Sequence, residues 1–167
     1  MKYSRNVEFW LVVLTILVTI VISVIIWAGF VDLLFFVGPY LFGHWLGWIG
    51  TFFIAIASPL YYILKRKNPR MICTLLKVHV FGSLVSFLLI TIHFMVQVTR
   101  PPEAYPDLNT GIILQAVMLI LVITGFLYRF KIIRSVRPHL NRFLHISITL
   151  SFYLVIGVHT LQGLLIL

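Results

Sequence analysis

Acidic side chains are nearly missing from this sequence: Glu8, Asp32, Glu103 and Asp107 are the whole supply against 13 Lys and Arg, and only 10% of its 167 residues are charged. Carboxylates this sparse offer no pair for general acid–base work, and no nucleotide-binding glycine loop or activated nucleophile stands out. Cysteine is represented by Cys73 alone. That excludes an intramolecular disulfide, and with no CxxCH it also excludes covalent attachment of a c-type haem.

What the chain has in abundance is apolar surface, with 61% hydrophobic residues and a mean hydropathy of +1.08. Such a composition lies outside the range of soluble domains and belongs in lipid. At about 20 apolar residues per span, the length accommodates about five spans and leaves no room for an additional soluble domain. The net charge of +9 does not point to nucleic acid, because the basic residues fall in short clusters between apolar runs. Membrane lipid is the expected surrounding. The first apolar run, Phe9 to Phe30, is too long for a signal-peptide core and lacks a small-residue cleavage site, so it reads as a retained span.

Hydropathy and breaker residues predict an all-α integral membrane bundle, one domain over the whole chain, with helices at about 9–30, 45–64, 71–98, 111–130 and 142–166. Lys2 and Arg5 precede the first of these. Lys65, Arg66, Lys67, Arg70 and Lys77 follow the second, and Arg129, Lys131, Arg134, Arg137 and Arg142 follow the fourth. Arg100 is the one basic residue on the other side, in company with Asp32, Glu103 and Asp107. The positive-inside rule therefore puts the N-terminus in the cytoplasm and, after five spans, the C-terminus outside. RPPEAYPDLNTG ends the third helix with prolines and turns the chain before the fourth. Val31–Gly43, apolar but broken by Asp32, Gly38 and Pro39, is expected as an interfacial loop or a short helix at the outer surface.

Two histidine pairs stand out: His79 and His93 in the third span, His145 and His159 in the fifth, each pair 14 residues apart. At about 100° and 1.5 Å per residue, the members of a pair fall within about 40° of one helix face and about 21 Å apart along it. The third and fifth spans run in the same direction, so depths match: His79 with His145 toward the basic end, His93 with His159 toward the other. Two bis-histidine sites are expected, four metal ligands in all. Imidazole ligates iron well, and facing helices of a bundle can hold a flat macrocycle between them. Two non-covalent b haems are the expected cofactors. With both axial positions filled by protein, the expected work is electron transfer across a hydrocarbon core about 30 Å thick.

Neighbouring residues extend the expected site. Gly82 and Ser83 lie one turn from His79, Ser86 midway between His79 and His93, and Gly163 one turn beyond His159, where small size would leave clearance for a macrocycle. Phe152 is midway between His145 and His159. Arg134, Arg137 and Arg142 are expected to pair with inner propionates and Arg100 with an outer one, since guanidinium suits carboxylates. The competing reading makes Gly82 and Gly163 helix-contact residues, Ser86 and Phe152 packing residues, and the basic clusters lipid anchors. His44, in FGHWLGW, reads as part of an interfacial aromatic belt and His139 as a loop residue.

The segments GHWLGWIGTFFIAIASPLYYILKRK, HVFGSLVSFLLITIH and NRFLHISITLSFYLVIGVHTLQG together resemble the ferric reductase-type transmembrane domain. That domain occurs in ferric reductases, NADPH oxidases and the haem subunit of bacterial methionine sulfoxide reductase systems. The resemblance covers about residues 40–167, and its specific part is the repeated H-x13-H. It implies two b haems, on His79 with His145 and on His93 with His159, and electron flow from the cytoplasmic side outward or to a membrane acceptor. Two departures matter: a sixth span after the second histidine helix is missing, and so is a flavin- and nicotinamide-binding domain. The donor is therefore expected to be a separate cytoplasmic flavoprotein or a quinol, and the acceptor to be extracytoplasmic or part of a larger complex. The respiratory cytochrome b family, which also pairs H-x13-H helices, is the second resemblance and implies a quinol-oxidising anchor subunit.

A redox subunit in a prokaryotic cell membrane is thus the leading expectation. A proton or metal transporter using the same histidines is a weaker one, because metal pathways usually add carboxylates and none of the four lies deep in a predicted span. A structural membrane subunit is the third.

Overall fold

The computed structural model describes residues 2–101, 108–132 and 138–164. Five α-helices carry most of them: α1 (Lys2–Trp27), α2 (Phe42–Lys67), α3 (Ile72–Val98), α4 (Asn109–Phe130) and α5 (Pro138–Gly163). All five are long and apolar enough to cross a membrane, and the chain is an all-helical, multi-pass membrane protein.

Helix ends follow local chemistry rather than the limits of the apolar runs. α1 stops at Trp27 because Gly29, at φ +74°, supplies a left-handed turn. The Gly29 N–H then donates to the Ile26 carbonyl at 3.0 Å and the Phe30 N–H to the Ile25 carbonyl at 3.1 Å, which satisfies the last free carbonyls of the helix. α5 begins on Pro138, whose missing N–H costs nothing in a first turn. α1 also takes in Glu8, which sequence patterning left ahead of the span; the residue is 5% exposed.

Val31–Gly43 contains no separate short helix. Asp32 Oδ1 accepts from the Leu34 N–H at 2.8 Å, and two short strands, β1 (Phe36–Val37) and β2 (Tyr40–Leu41), pair antiparallel around Gly38 and Pro39. Gly38 sits at φ +63°, a conformation that reverses the chain and cannot continue a helix. The expectation of a loop holds, and the short-helix alternative is corrected.

The chain forms two compact units, Met1–Ala104 and Tyr105–Leu167. In the first, α1 and α2 both pack on α3. α1 carries a buried stripe of Glu8, Val12, Thr19 and Ile26. Its hydroxyls are satisfied within the helix: Thr15, Thr19 and Ser23 donate to the carbonyls of Leu11, Thr15 and Thr19 at 2.9, 2.8 and 2.7 Å. Hydroxyls with no water at hand need such internal acceptors.

α2 meets α3 through buried Gly43, Gly47 and Gly50. A Cβ at Gly43 would lie 3.0 Å from Val96 Cγ1, one at Gly47 2.8 Å from His93 Cγ, and one at Gly50 2.8 Å from Ile90 Cγ1. Rising numbers on one helix meet falling numbers on the other, so the pair is antiparallel. Glycines three and four residues apart let backbones approach where lipid offers no hydrophobic drive for association. Gly50→Ala is expected to cost about 1–3 kcal/mol, since its Cβ would also lie 3.0 Å from the Ser86 carbonyl oxygen, which cannot rotate away. Thermal unfolding in detergent, followed by circular dichroism, measures that loss.

The second unit is the antiparallel hairpin of α4 and α5. α4 ends at Lys131, in the left-handed region at φ 52°.

Candidate functional site

Both histidine pairs lie on uninterrupted helices, His79 and His93 on α3 in the first unit, His145 and His159 on α5 in the second. All four are half-buried. The helical rise therefore separates the members of each pair by about 21 Å along the axis, with nothing in the secondary structure to break the count.

His93 is held by α2. Its Nδ1 lies 3.0 Å from the Gly43 carbonyl oxygen. A carbonyl only accepts, so Nδ1 carries the hydrogen and the neutral ring has its lone pair on Nε2. The ring fits because Gly47 has no side chain: a Cβ there would lie 2.8 Å from Cγ, 3.0 Å from Cδ2 and 3.2 Å from Nδ1.

α4 holds the two histidines of α5 in a matching way. His145 Nδ1 lies 3.0 Å from Thr124 Oγ1, which also sits 2.8 Å from the Ile120 carbonyl oxygen. A hydroxyl has one hydrogen. With that hydrogen directed to the carbonyls of Ile120 and Leu121, Thr124 Oγ1 is left to accept from a His145 Nδ1–H. Thr110 Oγ1 lies 2.9 Å from His159 Nδ1 and donates to Gln162 Oε1 at 3.1 Å. With the hydroxyl hydrogen directed to Gln162, Thr110 Oγ1 is likewise left to accept from a His159 Nδ1–H. Buried Asn141, one turn before His145, donates to the Thr124 carbonyl at 3.2 Å and pins the same turn of α4. Gly125 admits the His145 ring, with its would-be Cβ 3.3 Å from Cε1.

His79 is oriented by stacking. Its ring lies 4.7 Å from that of Tyr61 on α2 at 17°, and Lys65 Nζ lies 5.5 Å from the same Tyr61 ring.

Three imidazoles thus share one contact pattern: Nδ1 lies at hydrogen-bond distance from an oxygen of the neighbouring helix, a geometry that suits a hydrogen on Nδ1 and a lone pair on Nε2. Neutral imidazole binds metal through its lone-pair nitrogen, and a bonded Nδ1–H fixes ring angle and tautomer. These residues fit axial ligation of haem iron, which asks one nitrogen of each imidazole. Within either unit, among the described residues, no group of three or more His, Cys, Asp or Glu side chains is clustered.

The remaining expected residues divide. Ser86 and Phe152 are each 1% exposed, as buried packing residues are. Gly82 provides no clearance for a macrocycle, because the Phe53 ring of α2 occupies the place its Cβ would take; it serves helix contact. Beside Gly163 there is nothing within 4 Å of a Cβ. Arg142 is exposed, and half-buried Arg100 donates to Gln97 Oε1 at 2.9 Å. Arg134 and Arg137 lie outside the described residues.

His44 lies beside one of the four paired histidines. Its ring lies 5.4 Å from that of His93, within a group where Tyr40 meets Trp48 at 4.7 Å and Trp45 meets Trp48 at 5.3 Å. This aromatic group abuts a candidate ligand.

Sequence reading passed over Thr110, Thr124, Gly43 and Gly47. The two threonines left a visible signal, since Thr110-Gly111 and Thr124-Gly125 repeat at the same interval of 14 as the histidines. Gly43 left none, because its contribution is a backbone carbonyl. No protein-family model, curated protein or solved structure matches this chain.

Proposed function

We propose that this protein carries electrons across a membrane through two b haems, one held by His79 and His145 and the other by His93 and His159. The observation that carries the proposal is the shared placement of three imidazoles, each with Nδ1 within 3.0 Å of an oxygen on the neighbouring helix, which suits a lone pair on Nε2. The pairing between helices rests on the equal 14-residue spacing in the sequence. When bound, haem supplies reversible one-electron chemistry, and ligation by two imidazoles leaves no axial position for a substrate.

The chain's own residues supply binding, orientation and exclusion of water. Gly43, Thr110 and Thr124 hold the Nδ1 hydrogens, Gly47 and Gly125 make room for the rings, and Tyr61 stacks on His79. The apolar helices keep the ligands out of bulk water. The distribution of Lys and Arg supports an N-terminus in the cytoplasm and a C-terminus outside. On this reading a cytoplasmic flavoprotein or a quinol is the donor, and an extracytoplasmic or complex-bound centre is the acceptor. The likeness to ferric reductase-type domains, carried by the two H-x13-H helices, favours the same assignment.

The test is a pyridine haemochrome assay and a reduced-minus-oxidised spectrum on the full chain purified in detergent. Two low-spin b haems per chain are expected. A folded protein that takes up no hemin overturns the proposal, and zinc bound without haem would favour a metal transporter instead.

A further inference from the structure

The geometry points to Thr110 and Thr124 as positioning residues that set the tautomer and ligand strength of His159 and His145. This inference rests on the haem reading above. Its basis is a register shared by two helices: α4 and α5 run antiparallel, Thr124 meets His145 at 3.0 Å, and Thr110 meets His159 at 2.9 Å. Both intervals are 14 residues, so the contact repeats on nearly the same face, about 40° short of four full turns, on each helix. Glycine follows each threonine, and at Gly125 it lets the imidazole lie close to the α4 backbone.

A threonine in a membrane helix satisfies itself by donating to a carbonyl of the preceding turn, and that alone requires no histidine. Thr124 makes this bond to Ile120 at 2.8 Å. The bond has a second effect, because it uses the hydroxyl hydrogen and leaves an oxygen lone pair aimed at Nδ1. Thr110 reaches the same state through a different acceptor, Gln162 Oε1 at 3.1 Å. Two hydroxyls with different hydrogen acceptors, both presenting a lone pair to a histidine Nδ1, go beyond self-satisfaction. An Nδ1–H···O bond makes Nε2 more basic and so favours ferric over ferrous iron.

The experiment compares Thr124→Val and Thr110→Val with wild type in the full chain. Valine keeps the branched shape and removes the acceptor. In haem-free protein, nitrogen-15 spectra of the imidazoles are expected to show His145 and His159 as Nδ1–H tautomers, and each valine variant is expected to mix the tautomers of its own histidine only. Hemin titration is expected to show about 10–100-fold weaker binding at one site per variant. Where ferric binding weakens tenfold more than ferrous, the midpoint potential of that site rises by about 59 mV. Thr→Ser at either position is expected to restore all three readings. Should valine disturb the hairpin, the alanine and serine variants give the same comparison, since they differ in the hydroxyl alone.

Unchanged tautomers, hemin affinity and potentials in the variants, with wild type still binding two haems, overturn the positioning role and leave the proposed function standing. A wild-type protein that binds no hemin overturns the proposed function, and the role toward haem goes with it.

Discussion

Alanine in place of His93 is expected to leave one low-spin b haem per chain, and alanine in place of His159 to remove that same haem. His79→Ala and His145→Ala are expected to remove the other. On the haem reading each site loses one of its two imidazoles, and among the described residues only His93 has another histidine beside it, His44 at 5.4 Å between ring centroids, so His44→Ala is combined with His93→Ala. Pyridine haemochrome content per chain gives the number lost, and potentiometric titration of the survivor shows which one remains. If His93→Ala and His145→Ala leave the same survivor, the pairing by depth is wrong. If every single variant keeps both low-spin haems, the histidines are not the ligands and the cytochrome reading falls.

Gly47→Val is expected to act almost as strongly, although Gly47 touches no metal. A Cβ at this position would lie 2.8 Å from His93 Cγ, and valine adds two methyl groups beyond it. The His93 ring must then leave its place and break its bond to the Gly43 carbonyl, on top of about 1–3 kcal/mol of overpacking between α2 and α3. The haem lost should be the one that His93→Ala loses, with the other retained. Gly50→Ala serves as the control, because its clash is with Ile90 and the Ser86 backbone, and it should lower stability while keeping both haems. Equal haem content in Gly47→Val and wild type would mean that the ring has another place to go and that Gly47 serves packing alone.

The five helices were legible because hydrocarbon thickness sets the length of an apolar run and few polar residues interrupt one. The histidine pairs were legible because spacing within one helix translates directly into face and depth. Gly82 shows where such reasoning ends. Its distance from His79 in sequence suggested clearance for a macrocycle, and Phe53, 29 positions earlier, fills the space. Val31–Gly43 shows a second limit, since two-residue strands carry no periodicity and the conformation turns on the φ of Gly38. Glu8 marks a third. A run of apolar residues shows where a span is greasy, but α1 extends through Glu8 and buries it because helical hydrogen bonding does not stop at the edge of that run.

The sequence by itself determined the membrane class, the number of spans and the two faces on which histidines repeat. Each of these depends on residues near one another along a single helix, where geometry is set by the backbone repeat. Only the tertiary structure brought an oxygen to Nδ1 of three of the rings, from 50, 49 and 21 residues away: the Gly43 carbonyl for His93, Thr110 for His159 and Thr124 for His145. Helix packing brings these acceptors to the rings. A glycine that contributes nothing but an accepting carbonyl oxygen leaves no mark in a sequence until the partner helix is laid against it.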